Sequence, residues 1–266
     1  MNSDSMITTD DESETTSHKN SSENFFSGNI KEDSVNYEID GTKYTGFVFY
    51  NEDQKEKRPG IIVVHEWWGL NNYIRMRARE LAKLGYITLA ADVYGNGKTG
   101  NDPESAQALA TPFYNDPSLT KIRLDPAINF LKSYAQTDPS SIAAIGYCFG
   151  GFVVLNAAKL GSDLKGVVTF HGGLSGVMPP KHLKTKFLIC HGADDEFENP
   201  HVEEFRKEMD SSNIDYNFKI YPNSTHAFTN KDSTEKGQKY HMPISYNAAA
   251  DRDSWEDMKK FLRNLF

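Results

Sequence analysis

The 266-residue sequence predicts an α/β fold built on a mostly parallel sheet, with helices on both faces. Three observations predict it. Several short runs are almost continuously apolar, which is the pattern of strands buried on both faces. These runs alternate with segments of ten or more residues at helical spacing, and that alternation calls for right-handed crossovers. No internal repeat or long linker interrupts residues 35–266, so they are expected to form a single domain.

The elements follow in order. Val35–Ile39 and Tyr44–Tyr50 alternate apolar and polar residues around Asp40-Gly41, which predicts an N-terminal antiparallel hairpin. Gly60-Ile-Ile-Val-Val-His65 is the first buried strand. Ile74, Ala78, Leu81 and Leu84 place a helix over 71–84, stopped by Gly85. Tyr86–Ala91 is a second buried strand, and residues 103–114 and 119–136 read as helices. A strand at Ser141–Tyr147 runs straight into a helix at Phe149–Leu160. Strands at Gly166–Phe170 and Lys186–Cys190 precede a helix at Pro200–Met209, and Asp215–Tyr221 is the last strand. Ala248–Phe266 closes the chain as an amphipathic helix, with Trp255, Met258, Phe261, Leu262 and Phe266 inward.

Residues 1–34 differ in kind. Eight acids face only Lys19 and Lys31, a balance of −6 within a chain total of −8. Rich in Ser, Thr, Asn, Asp and Glu, this segment lacks the apolar surface to offset its chain entropy, so a disordered tail is expected. The remaining −2 over residues 35–266 leaves no basic field for nucleic acid or an anionic membrane. The tail has no apolar core of a secretory signal, and no run of eighteen apolar residues occurs. Cytoplasmic is the default location, with a processed exported form left open, and oligomeric state is left open too. Cys148 and Cys190 do not make a disulfide framework.

The most informative stretch is Ile145-Gly146-Tyr147-Cys148-Phe149-Gly150-Gly151, where a buried strand meets a helix. A nucleophile on such a turn occupies a strained conformation, and its neighbours two residues away on each side must be small. Gly146 and Gly150 meet that need. The sequence contains no G-x-S-x-G, so no serine competes. The first N–H groups of the following helix lack intrahelical partners; they favour a thiolate and leave the Phe149 amide free for an oxyanion. The plain alternative is a small cysteine packed into a tight turn.

Downstream, His191-Gly-Ala-Asp-Asp195 ends a strand at the carboxyl edge of the sheet, where open α/β sheets place their sites. The spacing favours Asp195 as the orienting acid over Asp194, and an Asx turn capping the next helix is the structural alternative. His226 follows the last strand and is positioned to act as base. His65, His171 and His191 also fall at strand ends, available for substrate contact or metal binding. His65-Glu66-Trp67-Trp68-Gly69 is not the zinc motif H-E-x-x-H, and no metal or other cofactor is expected.

Taken together, the G-Y-C-x-G-G turn at 146–151, H-E-x-x-G at 65–69, A-D-x-Y-G at 91–95, H-G-x-x-D at 191–195 and H-A-F at 226–228 resemble the dienelactone hydrolase family. The resemblance spans residues 35–266 and implies an α/β-hydrolase fold. It implies Cys148 as nucleophile, Asp195 as acid and His226 as base. Glu66 matches the carboxylate that holds the resting cysteine, and the Trp67 amide the second oxyanion donor beside Phe149. One departure concerns the arginines that clasp a substrate carboxylate in that family. Asn96 and Asn230 stand at the nearest positions here, with Lys98 the cation close by, and an amide does not replace a guanidinium fork. Trp67, Trp68, Tyr94, Phe149 and Phe228 are expected to line an aromatic site for a small ester or lactone. Thioester hydrolysis, peptide cleavage and a binding module without turnover are the alternatives.

Overall fold

The computed structural model describes residues 28–39 and 41–266. Among them, eight strands form one sheet: β1 (Ile30–Ile39), β2 (Thr42–Asn51), β3 (Arg58–Val64), β4 (Ile87–Ala91), β5 (Thr137–Tyr147), β6 (Gly166–Phe170), β7 (Lys186–Gly192) and β8 (Tyr216–Tyr221). Their spatial order is β1-β2-β4-β3-β5-β6-β7-β8. The β1–β2 and β2–β4 pairs are antiparallel, and the pairs from β4 through β8 are parallel. The chain passes from β3 to β4 in one direction and to β5 in the other. The direction therefore reverses between β3 and β5, where open sheets leave a crevice at their carboxyl ends.

Seven helices cover the two faces: α1 (Asn72–Lys83), α2 (Pro103–Asn115), α3 (Ser118–Ser133), α4 (Phe149–Lys159), α5 (Val202–Ser211), α6 (Ser233–Tyr240) and α7 (Ala248–Leu265). One core gathers Phe113 of α2, Leu124 and Leu131 of α3, Phe152 of α4 and Phe205 of α5 against Ile62, Leu89, Ala144 and Ile189. The opposite core gathers Ile74, Ala78 and Leu81 of α1 with Met258 and Leu262 of α7 against Ile61, Val63, Ile145 and Leu188. Neighbouring residues of one strand point to opposite cores, which is why these strands read as unbroken apolar runs.

The expected α/β-hydrolase architecture, with its leading hairpin and two helical layers, is the one observed. Two features differ from the expectation. Strand β1 starts at Ile30, five residues before Val35, and pairs with β2 along its whole length. Its acids have specific partners: Glu32 binds Arg75 and Arg79 of α1, and Asp33 accepts from the Tyr50 and Tyr134 hydroxyls. Residues 30–34 thus leave the expected tail; residues 1–27, and Asp40 of the hairpin turn, lie outside the described residues. The second difference is α6, which no apolar spacing announces because it buries only Ser233 and Gly237. No helix of the described residues is long and apolar enough to cross a membrane.

A buried arginine ties α1 to α7, its neighbour in the same layer, and to the loop after β8. Arg77 of α1 is 6% exposed; it pairs with Asp251 of α7 and donates to the Thr229 carbonyl at 2.8 Å. Replacing one partner of such a pair leaves the other charge without compensation. Arg77→Met is expected to cost about 3–5 kcal/mol, since Asp251 is also largely buried. The thermal midpoint should fall by about 10 °C or more, measured by calorimetry or circular dichroism.

Candidate active site

Cys148 lies between β5 and α4 with φ 53° and ψ −117°, a region that non-glycine residues rarely occupy. Its N–H donates to the Phe170 carbonyl at 3.0 Å, and its carbonyl accepts from Gly151 at 2.9 Å. The flanking glycines are dictated by space. A Cβ on Gly146 would sit 2.1 Å from the Gly150 carbonyl oxygen, and one on Gly150 would sit 2.3 Å from that of Val64. The turn is therefore wedged between β5, β6 and the end of β3, and the sulfur projects outward.

The sulfur meets His226. The separation from Sγ to Nε2 is 3.0 Å, and Nδ1 of the same ring lies 2.8 Å from Oδ2 of Asp195. Asp195 is fully buried after β7, while Asp194 is exposed. Both roles expected of Asp195 coexist: Oδ2 faces the imidazole while Oδ1 accepts from the N–H groups of Phe197 and Glu198. Burial alone would raise the Asp195 carboxyl, but the hydrogen bond and charge of His226 hold it below the usual carboxylate range. Burial likewise disfavours a charged His226. The Cys148 and Asp195 charges on its two sides outweigh that and raise it well above the ordinary histidine value. An imidazolium held between the sulfur and the Asp195 carboxylate is the arrangement these shifts favour.

Donors for an oxyanion stand nearby. Phe149 is the first residue of α4, so its N–H has no intrahelical acceptor, and the Trp67 N–H has no acceptor among the described residues. Both residues line the same cavity as Cys148. The Trp67 peptide is fixed from behind, where the Tyr94 hydroxyl donates to its carbonyl at 3.0 Å.

Glu66 is buried in this cavity at 2% exposure, and its Oε2 accepts from the Asn230 amide at 2.7 Å. Burial raises its carboxyl above the ordinary value, against the pull of Lys236, the Asn230 hydrogen bond and His226. Among the described residues its carboxylate makes no hydrogen bond to Cys148; the sulfur is on His226 instead. Asn230 is therefore the residue that occupies Glu66, whereas Asn96 and Lys98 are exposed and do not line the cavity.

The cavity has a volume of about 410 Å³. Of the five aromatic residues expected there, Trp67, Trp68 and Phe149 line it. Tyr94 and Phe228 do not. Tyr94 packs behind Phe149 and His65, and Phe228 is fully buried against His171 and Tyr221. Each is packed among other rings, so both serve support behind the lining. The three other histidines also work structurally: His65 Nδ1 meets the Glu66 carbonyl, His171 meets Thr229, and His191 meets Asn199.

The remaining walls lie outside the sequence-based expectation. Gln107 and Tyr114 come from α2, Phe197 and Glu198 from the loop after Asp195, and His241–Ile244 from the turn ending α6. His241 itself turns left-handed at φ 54°, and Thr225 holds Ser245 against the His226 loop through three hydrogen bonds. Residues that meet only through such loops carry no periodic signal; the short spacing from Asp195 to Glu198 is the sole hint.

Comparison with known proteins places this geometry in a family. The "Protein usf" of Aquifex pyrophilus is 29% identical over 204 residues, covering 74% of this chain and 87% of the relative. A Saccharolobus solfataricus protein named as a candidate carboxymethylenebutenolidase is 26% identical, covering 88% and 99%. Among solved structures, a dienelactone hydrolase-like promiscuous phosphotriesterase from metagenomic libraries superposes with a TM-score of 0.84 at 31% identity, covering 90% of this chain and all of that one. The family model for dienelactone hydrolases matches residues 45–266, and the chain belongs to the dienelactone hydrolase family.

Proposed function

We propose that this hydrolase cleaves a small carboxylic ester or lactone through an acyl-cysteine intermediate on Cys148. The observation that carries the reading is the unbroken relay from Sγ through the His226 ring to Asp195, with contacts of 3.0 and 2.8 Å, opening onto a cavity. The Cys148 thiolate attacks the carbonyl carbon, and the C=O electron pair moves onto oxygen, where the Phe149 and Trp67 N–H groups receive it. Collapse of the tetrahedral adduct breaks the bond to the alcohol oxygen, which takes the proton from His226 Nε2. Water then gives a proton back to His226 and attacks the acyl carbon. Thiolate leaves, and the acid is released. Asp195 keeps the imidazole in the right orientation and stabilises its charged form.

The metagenomic relative is described as a promiscuous phosphotriesterase as well as dienelactone hydrolase-like. Carboxylic ester or lactone chemistry is preferred here because several relatives are named as candidate carboxymethylenebutenolidases. Thioesters would use the same parts. A binding module without turnover would leave the Cys148–His226 pair without a task.

Cys148→Ala is expected to abolish p-nitrophenyl ester turnover, with kcat/KM down by about 10³-fold or more in a spectrophotometric assay. Undiminished turnover would sink the assignment. Asp195→Asn should lower kcat by about 10³–10⁴-fold with a smaller change in KM, as the imidazole loses its orientation.

The ion pair has its own signature. Because the Cys148 charge helps raise His226, the imidazole of the native enzyme should titrate above the ordinary histidine range, read by nitrogen-15 NMR of labelled histidine. Cys148→Ala removes the largest of the charges that oppose burial and leaves Asp195 with Glu66 and Glu198. The titration midpoint must then move to lower pH; an unchanged midpoint would refute the pairing.

A further inference from the structure

The cavity beside Cys148 is lopsided in charge. Glu66 and Glu198 both face it, and its lining contains no lysine or arginine among the described residues. Glu66 is largely accounted for, because the Asn230 amide binds it and the Lys236 charge acts on it. Lys236 itself sits over the Trp68 ring at 4.7 Å and lines the neighbouring cavity with Asp232 and Glu235.

Glu198 has no such compensation. Its Oε2 accepts the Leu174 N–H at 2.9 Å, and among the described residues it has no lysine or arginine partner. The basic groups acting on it are His226, already matched by Cys148 and Asp195, and His201. Burial accordingly raises its carboxyl above the ordinary value. Aromatic rings stand around it. Phe197 precedes it in the chain and meets the His226 ring at 5.4 Å, and the Tyr114 hydroxyl is within range of both the Glu198 and Cys148 charges. A carboxylate without a cation, set among aromatic faces, is the chemistry that receives an alkylammonium group.

We propose that the site takes esters whose alcohol part carries an alkylammonium group, seated against Glu198 and the rings of Phe197 and Tyr114. The alcohol side is assigned by the proton path. The leaving oxygen must stand at His226 Nε2 to be protonated, and Phe197 and Glu198 are the residues beside that ring. This inference rests on the hydrolytic reading above. It fits a lining that holds two carboxylates and no lysine or arginine among the described residues.

The test compares acetylcholine, its uncharged carbon isostere 3,3-dimethylbutyl acetate, and anionic 3-acetoxypropionate. Hydrolysis is followed by pH-stat, each rate normalised to the ester's own hydroxide-catalysed rate. The expected order of kcat/KM is cationic, neutral, anionic, with at least a tenfold step from first to second, about 1.4 kcal/mol. Glu198→Gln should bring the cationic-to-neutral ratio toward one, while it keeps an acceptor for Leu174. A flat series, or a preference for the anion, overturns the inference; if Cys148 is still needed for turnover, the hydrolytic reading survives. Should none of the three be hydrolysed in a Cys148-dependent way, that reading is what fails. The cavity's charge is then read from modification of Cys148 by cationic and anionic methanethiosulfonates, relative to a free thiol. A tenfold preference for the cation upholds the electronegative pocket, and equal rates overturn it.

Discussion

The site depends on one backbone conformation. Cys148 holds a positive φ that costs about 1–3 kcal/mol in an unsupported chain. Packing supports it: the Phe170 carbonyl takes its N–H, the first turn of α4 takes its carbonyl, and two glycines let the strands close around it. Relaxed, the residue would turn its sulfur into the protein and disconnect it from His226. Strained, it aims the sulfur outward and leaves the N-terminus of α4 open beside it. The proposed nucleophile and oxyanion donor come from the same turn, so neither can be positioned without the other.

The groups proposed to act with Cys148 are arranged by strand ends. Glu66 and Trp67 follow β3, Cys148 follows β5, Asp195 follows β7 and His226 follows β8. The parallel register brings these ends to one edge, and the reversal of direction between β3 and β5 opens the crevice there. A second layer braces them from below. Tyr94 fixes the Trp67 carbonyl, His171 and Phe228 pack beneath His226, and Arg77 pins the Thr229 carbonyl next to them.

How much of this is legible in the sequence depends on whether a residue sits in a regular element. The buried strands announce themselves, since both faces of β3 and β5 demand apolar side chains. Cys148 is legible because steric demand writes glycine on either side of it. Asp195 and His226 are legible because chain order and strand ends constrain them, and the fold brings the imidazole to the sulfur and the carboxylate to the imidazole. Tyr94 and Phe228 look like lining because strand-end position does not say which way a ring turns. Tyr114, Glu198 and Met242 escape notice for the converse reason. They reach the cavity from a helix and from loops whose folding depends on distant contacts. The start of β1 escapes too, because Lys31, Glu32, Asp33 and Ser34 look like solvent-loving tail until Arg75, Arg79 and two tyrosines partner the acids.

The turn that ends α6 has a broader consequence. His241–Ile244 form a wall of the cavity outside the named strands, and the stretch is tied closely to the base: Ile244 bridges His226, Ser245 bonds Thr225, and Asn247 donates to the Phe228 carbonyl. Selectivity and chemistry are therefore neighbours on one loop. Recasting His241–Pro243 would redraw the shape offered to a substrate, whereas any change from Ile244 to Asn247 would shift the imidazole as well, so new substrates are reached most safely through the first three residues of that turn.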